Sequence, residues 1–175
     1  VGDEREELVE QLEAAGDEVA ESGHGRSPID AQTTAFVFSG QGGQWPGMGE
    51  VLENDPAAAR AIERCEAAIR EIAGWSVRES FRGPASWTDD VARIQPLLFV
   101  VQVALAEMWR ERGVEPEVTV GHSLGEVAAA HVAGHLTLED AVRVICTRSD
   151  LLRRIAGEGA MAVVGLGPEE ASEEI

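Results

Sequence analysis

Apolar residues recur every three and four positions in three stretches of this chain and form short unbroken runs in three others. Behind Asp55-Pro56, a helix N-cap followed by proline at the first helical position, come Ala58, Ile62, Cys65, Ile69 and Ile72 on one face. Gln95-Pro96 opens a second helix that ends before Gly113. Its apolar face carries Leu97, Leu98, Val101, Ala104, Leu105, Met108 and Trp109, which places Trp109 in the core. Thr137 with Asp140 has the spacing of a capping box, and the helix it opens runs to about Ile155 with Leu138, Ala141, Ile145, Arg148, Leu152 and Ile155 as its buried stripe. An arginine in such a stripe requires an anion or a route to solvent, because an unpaired buried charge is costly. Its planar fork matches a carboxylate; a substrate carboxylate, a structural ion pair and a snorkelling side chain are all open on the pattern alone.

The unbroken runs lead into glycine. Ala35–Phe38 reads as a buried parallel strand entering the loop Ser39–Gly49 (SGQGGQWPGMG). Val118–Val120 is a second strand that enters Gly121-His122-Ser123-Leu124-Gly125, and Glu126–Val132 continues as an alanine-rich helix. Gly159–Leu166 is a third strand, and Pro168-Glu169-Glu170 starts another helix. Ahead of all these, Asp3–Ala15 is a charged surface helix with Leu8, Val9 and Leu12 on one side, and Gly16–Thr34 is a linker without sustained period.

Composition narrows the function classes. The 175 residues, 44% apolar and 26% charged, suffice for one compact domain and little more. All 14 basic residues are arginine, against 32 acidic ones, and the net charge of −18 repels nucleic acid and acidic membranes. Cys65 and Cys146 have no metal-ligand spacing, so neither a disulfide framework nor a zinc site is expected, and Cys65 falls on a core stripe. No run reaches the roughly 18 apolar residues of a membrane span, and Val1–Gln11 is unlike a signal peptide. A cytoplasmic protein with no nucleic-acid or membrane partner is the expectation.

The chemistry concentrates in the two glycine-rich turns. Gly-x-Ser-x-Gly between a β-branched strand and a helix is the context of a nucleophile elbow, with Ser123 at a helix N-terminus and the Leu124 N–H as oxyanion donor. The loop after the first strand supplies a second donor, for which Gln41 is the candidate. A dinucleotide fingerprint fails there, since counting from Gly40 its last glycine position is Trp45, and no Gly-Lys-Ser/Thr follows for a P-loop. A serine nucleophile needs a base. His24 lies in the linker, His122 adjoins the serine and is expected to pack under the turn, and His131 and His135 are four apart but straddle Gly134, where their helix ends. None is convincing as base, and no metal site is expected from them.

Three segments taken together, Phe36-Val37-Phe38-Ser39-Gly40-Gln41-Gly42-Gly43-Gln44-Trp45-Pro46-Gly47-Met48-Gly49, Gly121-His122-Ser123-Leu124-Gly125-Glu126 and Arg148-Ser149, resemble the acyltransferase domain of modular type I polyketide synthases, kin of malonyl-CoA:acyl carrier protein transacylase. The resemblance runs from about Asp3 to Ile175. It implies an α/β-hydrolase-like large subdomain over 34–157, preceded by the end of a ketosynthase-to-acyltransferase linker over 1–33. The start of an inserted ferredoxin-like small subdomain would follow over 158–175. It implies that Ser123 becomes an acyl ester, that the backbone N–H groups of Gln41 and Leu124 form the oxyanion hole, and that Arg148 clamps the malonyl carboxylate. His122 and Gln95 are candidates for lining the site. No permanently bound cofactor is implied; coenzyme A thioester is the substrate, and the partners are an acyl carrier protein bearing phosphopantetheine and the ketosynthase of the same megasynthase. The family's catalytic histidine lies farther beyond the serine than this chain extends, so the base is expected past Ile175 and the chain alone is expected to be inactive. Leu124 looks like a malonyl selector while Asp90–Gln95 (DVARIQ) partly resembles the methylmalonyl pattern, so the extender stays open between the two. A serine thioesterase or esterase would share the elbow without needing Arg148, and a non-catalytic scaffold would fit the missing base.

Overall fold

The computed structural model describes residues 34–83, 90–159 and Gly167. The expected helix at Asp3–Ala15, the linker up to Thr34, the strand at Gly159–Leu166 and the helix from Pro168 lie outside the described residues, apart from Thr34 and Gly159 themselves, and so does His24. In chain order the elements are β1 (Ala35–Phe38), α1 (Met48–Leu52), α2 (Pro56–Ala73), α3 (Val77–Arg82), α4 (Val91–Glu111), β2 (Val118–Gly121), α5 (Gly125–Val132) and α6 (Leu138–Arg154). The two strands pair in parallel, Ala35 opposite Val118 and Phe38 opposite Gly121, so the architecture is α/β with the ends of both strands side by side. That register sets the loop after β1 next to the turn after β2. Alternation along the strands sends Phe36 and Phe38 toward the helices and leaves Val37, Val118 and Val120 exposed on the other face.

Helix α4 is the centre of the core, packed by α2, α5 and α6, with every residue from Ile94 to Ala104 buried. It begins a turn and a half earlier than Gln95-Pro96 suggests, because Asp90 caps it, its Oδ1 accepting from the Ala92 N–H at 2.9 Å. Pro96 therefore sits inside the helix, where it cannot donate to the Ala92 carbonyl. Its own complete burial among core side chains offsets that loss. By composition α4 could cross a membrane, with mean hydropathy 1.5 over an 18-residue window, contrary to the expectation that no run reaches that length; Arg93, Gln95 and Gln102 interrupt the run without lowering its average enough. Here it is the core helix. The expectation for Trp109 is also corrected. It is 53% exposed, because it and Leu105, one turn apart, stand on the side of α4 that no described element covers.

Asp55 caps α2 as its pattern predicts, accepting from the Ala57 and Ala58 N–H groups, and Arg112 at the end of α4 bonds the same carboxylate at 2.7 Å. In α6, Thr137 Oγ1 accepts from the Asp140 N–H and donates to its carboxylate. The buried stripe of α6, however, is Ala141, Val142, Ile145 and Ser149. Ile155 is 57% exposed, and Arg148 stands at the stripe's edge, half-buried. Short helices α1 and α3, absent from the sequence reading, pack on each other where Gly49 gives room for the Phe81 ring.

Burial pushes the Cys65 thiol up to about 12 and the half-buried Cys146 thiol up to about 11, by removing the thiolate from water. At pH 8 their thiolate fractions are then roughly one in ten thousand and one in a thousand, so iodoacetamide should label neither in the native protein and both in urea. Rapid native labelling would show that α2 or α6 opens. Above the ordinary thiol value of 9.0 the unfolded chain loses protons that the folded one keeps, so the same shifts cost stability as pH rises.

Candidate active site

The turn after β2 is built by close approach. The His122 N–H donates to the Phe38 carbonyl at 2.9 Å, extending the ladder between the strands by one bond. Ser123 then takes a left-handed φ of +55°, the only non-glycine residue among those described to do so, before α5 begins at Gly125. Ser123 is thus strained and exposed. The flanking glycines are there for close packing. A Cβ on Gly121 would strike the Glu126 backbone, and one on Gly125 would strike the Phe38 carbonyl, so both exist to let α5 lie directly on the strand ends. Gly125→Ala is therefore expected to destabilise the fold by about 1–3 kcal/mol, read as a lowered unfolding midpoint. An unchanged midpoint would mean that α5 does not press on β1.

The nucleophile candidate meets one side chain among the described residues. Arg148 Nη2 donates to Ser123 Oγ at 3.1 Å. Arg148 Nη1 donates to Gln95 Oε1, which also accepts from Ser149 Oγ at 3.3 Å. Gln95, buried to 5% exposure, turns its Nε2 to Gln41 Oε1 at 3.3 Å. Ser123, Arg148, Gln95 and Gln41, taken from four separate segments, thus form one hydrogen-bonded chain. Ser149 closes it from below, its hydroxyl donating to the Ile145 carbonyl at 2.6 Å. Leu124 is fully buried, and among the described residues neither its N–H nor that of Gln41 donates to a protein acceptor.

Arg148 differs from the other arginines. Ten of those described pair with a carboxylate, and Arg93 lies over the Trp75 ring at 4.2 Å. In a chain this acidic, Arg148 has only neutral partners, which removes the structural ion pair as an explanation of its place among the described residues.

The histidines stand apart from this chain of bonds. His122 does not pack under the turn; the strand alternation carries it outward, where it is exposed, and a Cβ on Gly40 would sit 2.7 Å from its Nδ1. His131 Nδ1 meets the Leu136 carbonyl at 3.0 Å and its ring lies 6.2 Å from that of Phe99, a structural role at the end of α5. His135 follows Gly134, at φ +80°, and is exposed. Among the described residues no three His, Cys, Asp or Glu side chains converge as a metal site requires.

Two residues near the site escaped the sequence reading of roles. Ser149 stood beside Arg148 without an assignment. Gln102, 9% exposed, donates through Nε2 to the Ser39 carbonyl at 2.7 Å, while its Oε1 is buried without a partner among the described residues. The signal for it was a lone amide inside the apolar run LLFVVQVALA, seven residues after Gln95 and so on the same helix face.

Residues 35–175 match the sequence profile of the family described as acyl transferase domain. The chain is 46% identical over 178 residues to erythronolide synthase EryA3 of Saccharopolyspora erythraea, an alignment that takes in 100% of this chain and 6% of that protein. Among solved structures it is similar to a loading acyltransferase from the avermectin modular polyketide synthase, with 44% identity and TM-score 0.73 over 81% of this chain and 45% of that one. It is also similar to the malonyl-CoA:ACP transacylase of Synechocystis sp. PCC 6803, with 33% identity and TM-score 0.64 over 72% of this chain and 42% of the other. The chain thus spans under half of the solved acyltransferases and a small part of the curated synthase. With the strand-turn-helix around Ser123, the glycine loop beside it and Arg148 over the serine, the chain belongs to the acyl transferase domain family, as an acyltransferase domain segment of the modular polyketide synthase kind.

Proposed function

We propose that Ser123 accepts a malonyl-type acyl group from coenzyme A and passes it to the phosphopantetheine thiol of an acyl carrier protein, within a polyketide synthase that also carries a ketosynthase. The observation that carries this reading is the Arg148 guanidinium, without a carboxylate partner among the described residues and 3.1 Å from Ser123 Oγ. In the acylation half-reaction Oγ attacks the thioester carbon, and its proton passes to a base. The N–H groups of Gln41 and Leu124 hold the oxyanion, and the C–S bond breaks to release the coenzyme A thiol. In the second half the carrier thiol attacks the ester and Ser123 recovers its proton. Arg148 Nη1 stays on Gln95 Oε1 while Nη2 exchanges the serine hydroxyl for the free carboxylate of the substrate. No described imidazole meets Ser123, and by the family resemblance the base is a histidine farther along the polypeptide. By the same resemblance the described α/β unit is part of an α/β-hydrolase-like large subdomain, with a ferredoxin-like small subdomain beginning near residue 158.

The test is intact-mass analysis of the polypeptide that carries this chain after exposure to malonyl-CoA. A single malonyl adduct on Ser123 that discharges on adding carrier protein is expected. Rapid hydrolysis of malonyl-CoA with no adduct would assign a thioesterase instead, and inertness toward both would leave a scaffold.

A further inference from the structure

We propose that Gln102 is a positioning residue for acyl transfer: its side-chain amide fixes the Ser39-Gly40 peptide and thereby aims the Gln41 N–H at the developing oxyanion. This rests on the reading of Ser123 and Gln41 above and names a residue that reading does not use.

Four observations carry it. The bond from Gln102 Nε2 to the Ser39 carbonyl is short for an N–H donor, 2.7 Å, and joins residues 63 apart in sequence. It lands where β1 gives way to the glycine loop, two residues before Gln41, in a segment whose glycines leave its backbone little intrinsic preference. Gln95 and Gln102, two turns apart on one face of α4, grip this loop at two points, the first through the Gln41 side chain and the second through the backbone. Finally, Gln102 Oε1 is buried with no partner among the described residues. Burying an amide with half its hydrogen-bonding capacity unused is unfavourable for the fold, and methionine would fill the same space without that cost, giving up only the bond to the carbonyl of Ser39, an exposed residue. A residue kept for stability would not be a glutamine here; a residue kept for its one donor would.

Stability and turnover should therefore separate. In the polypeptide that carries this chain, Gln102→Met is expected to unfold at the same or a higher temperature than the parent, yet to acylate Ser123 with kcat lowered roughly ten- to a hundredfold and KM for malonyl-CoA unchanged. Malonyl-CoA and acetyl-CoA should suffer equally, since an oxyanion donor does not sense the acyl group. If Gln102→Met fails to fold, Gln102→Asn, which keeps the amide but draws it back by one methylene, carries the same expectation. A folded variant with parental kcat, or a loss confined to KM, overturns the inference. A Ser123→Ala control run alongside separates the failures: adduct formation without Ser123 defeats the underlying reading, whereas a Ser123-dependent adduct formed at parental rate by the Gln102 variant defeats the positioning role alone.

Discussion

Ser123→Ala should abolish the covalent adduct with the extender thioester and lower transfer to carrier protein by at least about a thousandfold, because among the described residues no other hydroxyl bonds the Arg148 guanidinium itself, the buried Ser149 reaching only Gln95. Intact-mass spectrometry after exposure to malonyl-CoA reads the adduct, and a carrier-protein assay reads the transfer. The backbone geometry adds a second expectation. Ser123 holds φ +55°, a conformation that costs a non-glycine residue about 1–2 kcal/mol. Ser123→Gly should thus be as inactive as Ser123→Ala and yet unfold at a higher temperature than it. An adduct that persists in Ser123→Ala at another residue would sink the nucleophile assignment. Equal midpoints for the alanine and glycine variants would mean that the turn is not strained.

On the proposed reading, Arg148→Ala removes a charge-assisted contact worth about 1.5–3 kcal/mol with the substrate carboxylate. The rate of malonyl transfer should fall roughly ten- to more than a hundredfold. Acetyl and propionyl thioesters, which lack the carboxylate, should lose far less and can gain, since the variant no longer offers a guanidinium to an apolar chain. Arg148→Lys should rescue poorly: an ammonium can reach the carboxylate as a point charge, but it cannot bond Gln95 Oε1 and the substrate with the same planar fork. The ratio of malonyl-CoA to acetyl-CoA acylation rates, in variants checked for folding by circular dichroism, is the measurement. A ratio unchanged in folded Arg148→Ala would remove the carboxylate clamp. The Gln102 variants should leave that ratio alone, so the two residues report on separable parts of the same step.

Local rules carried much of this protein into view. Asp55-Pro56 and Thr137-x-x-Asp140 mark helix starts by side-chain bonds that reach no farther than one turn, and both form as expected. The elbow was legible for the same reason: a β-branched strand, two glycines around a serine and an alanine-rich helix follow one another directly in the chain. Errors arose where a decision belongs to neighbours distant in sequence. Periodicity named the helix carrying Trp109 but not which of its sides the other helices would cover. Proline at position 96 read as a helix start because its unfavourable place inside a helix is offset only by core packing. Helices of five and six residues, α1 and α3, are too short to show a period at all.

The sequence by itself determined the two turns, the serine that stands in the second of them, the acid-rich character and the presence of an arginine that no local pattern could satisfy. Only the tertiary structure decided what surrounds that arginine, because the partners come from α4 and the loop after β1, separated from it by scores of residues. Parallel pairing of β1 with β2 brings Gln41 beside Ser123. The packing of α4 between α2 and α6 lays Gln95 under Arg148 and Gln102 under Ser39. Hydrogen bonds act over about 3 Å, whereas the chain distances here exceed fifty residues, so no residue spacing could encode which amide meets which carbonyl.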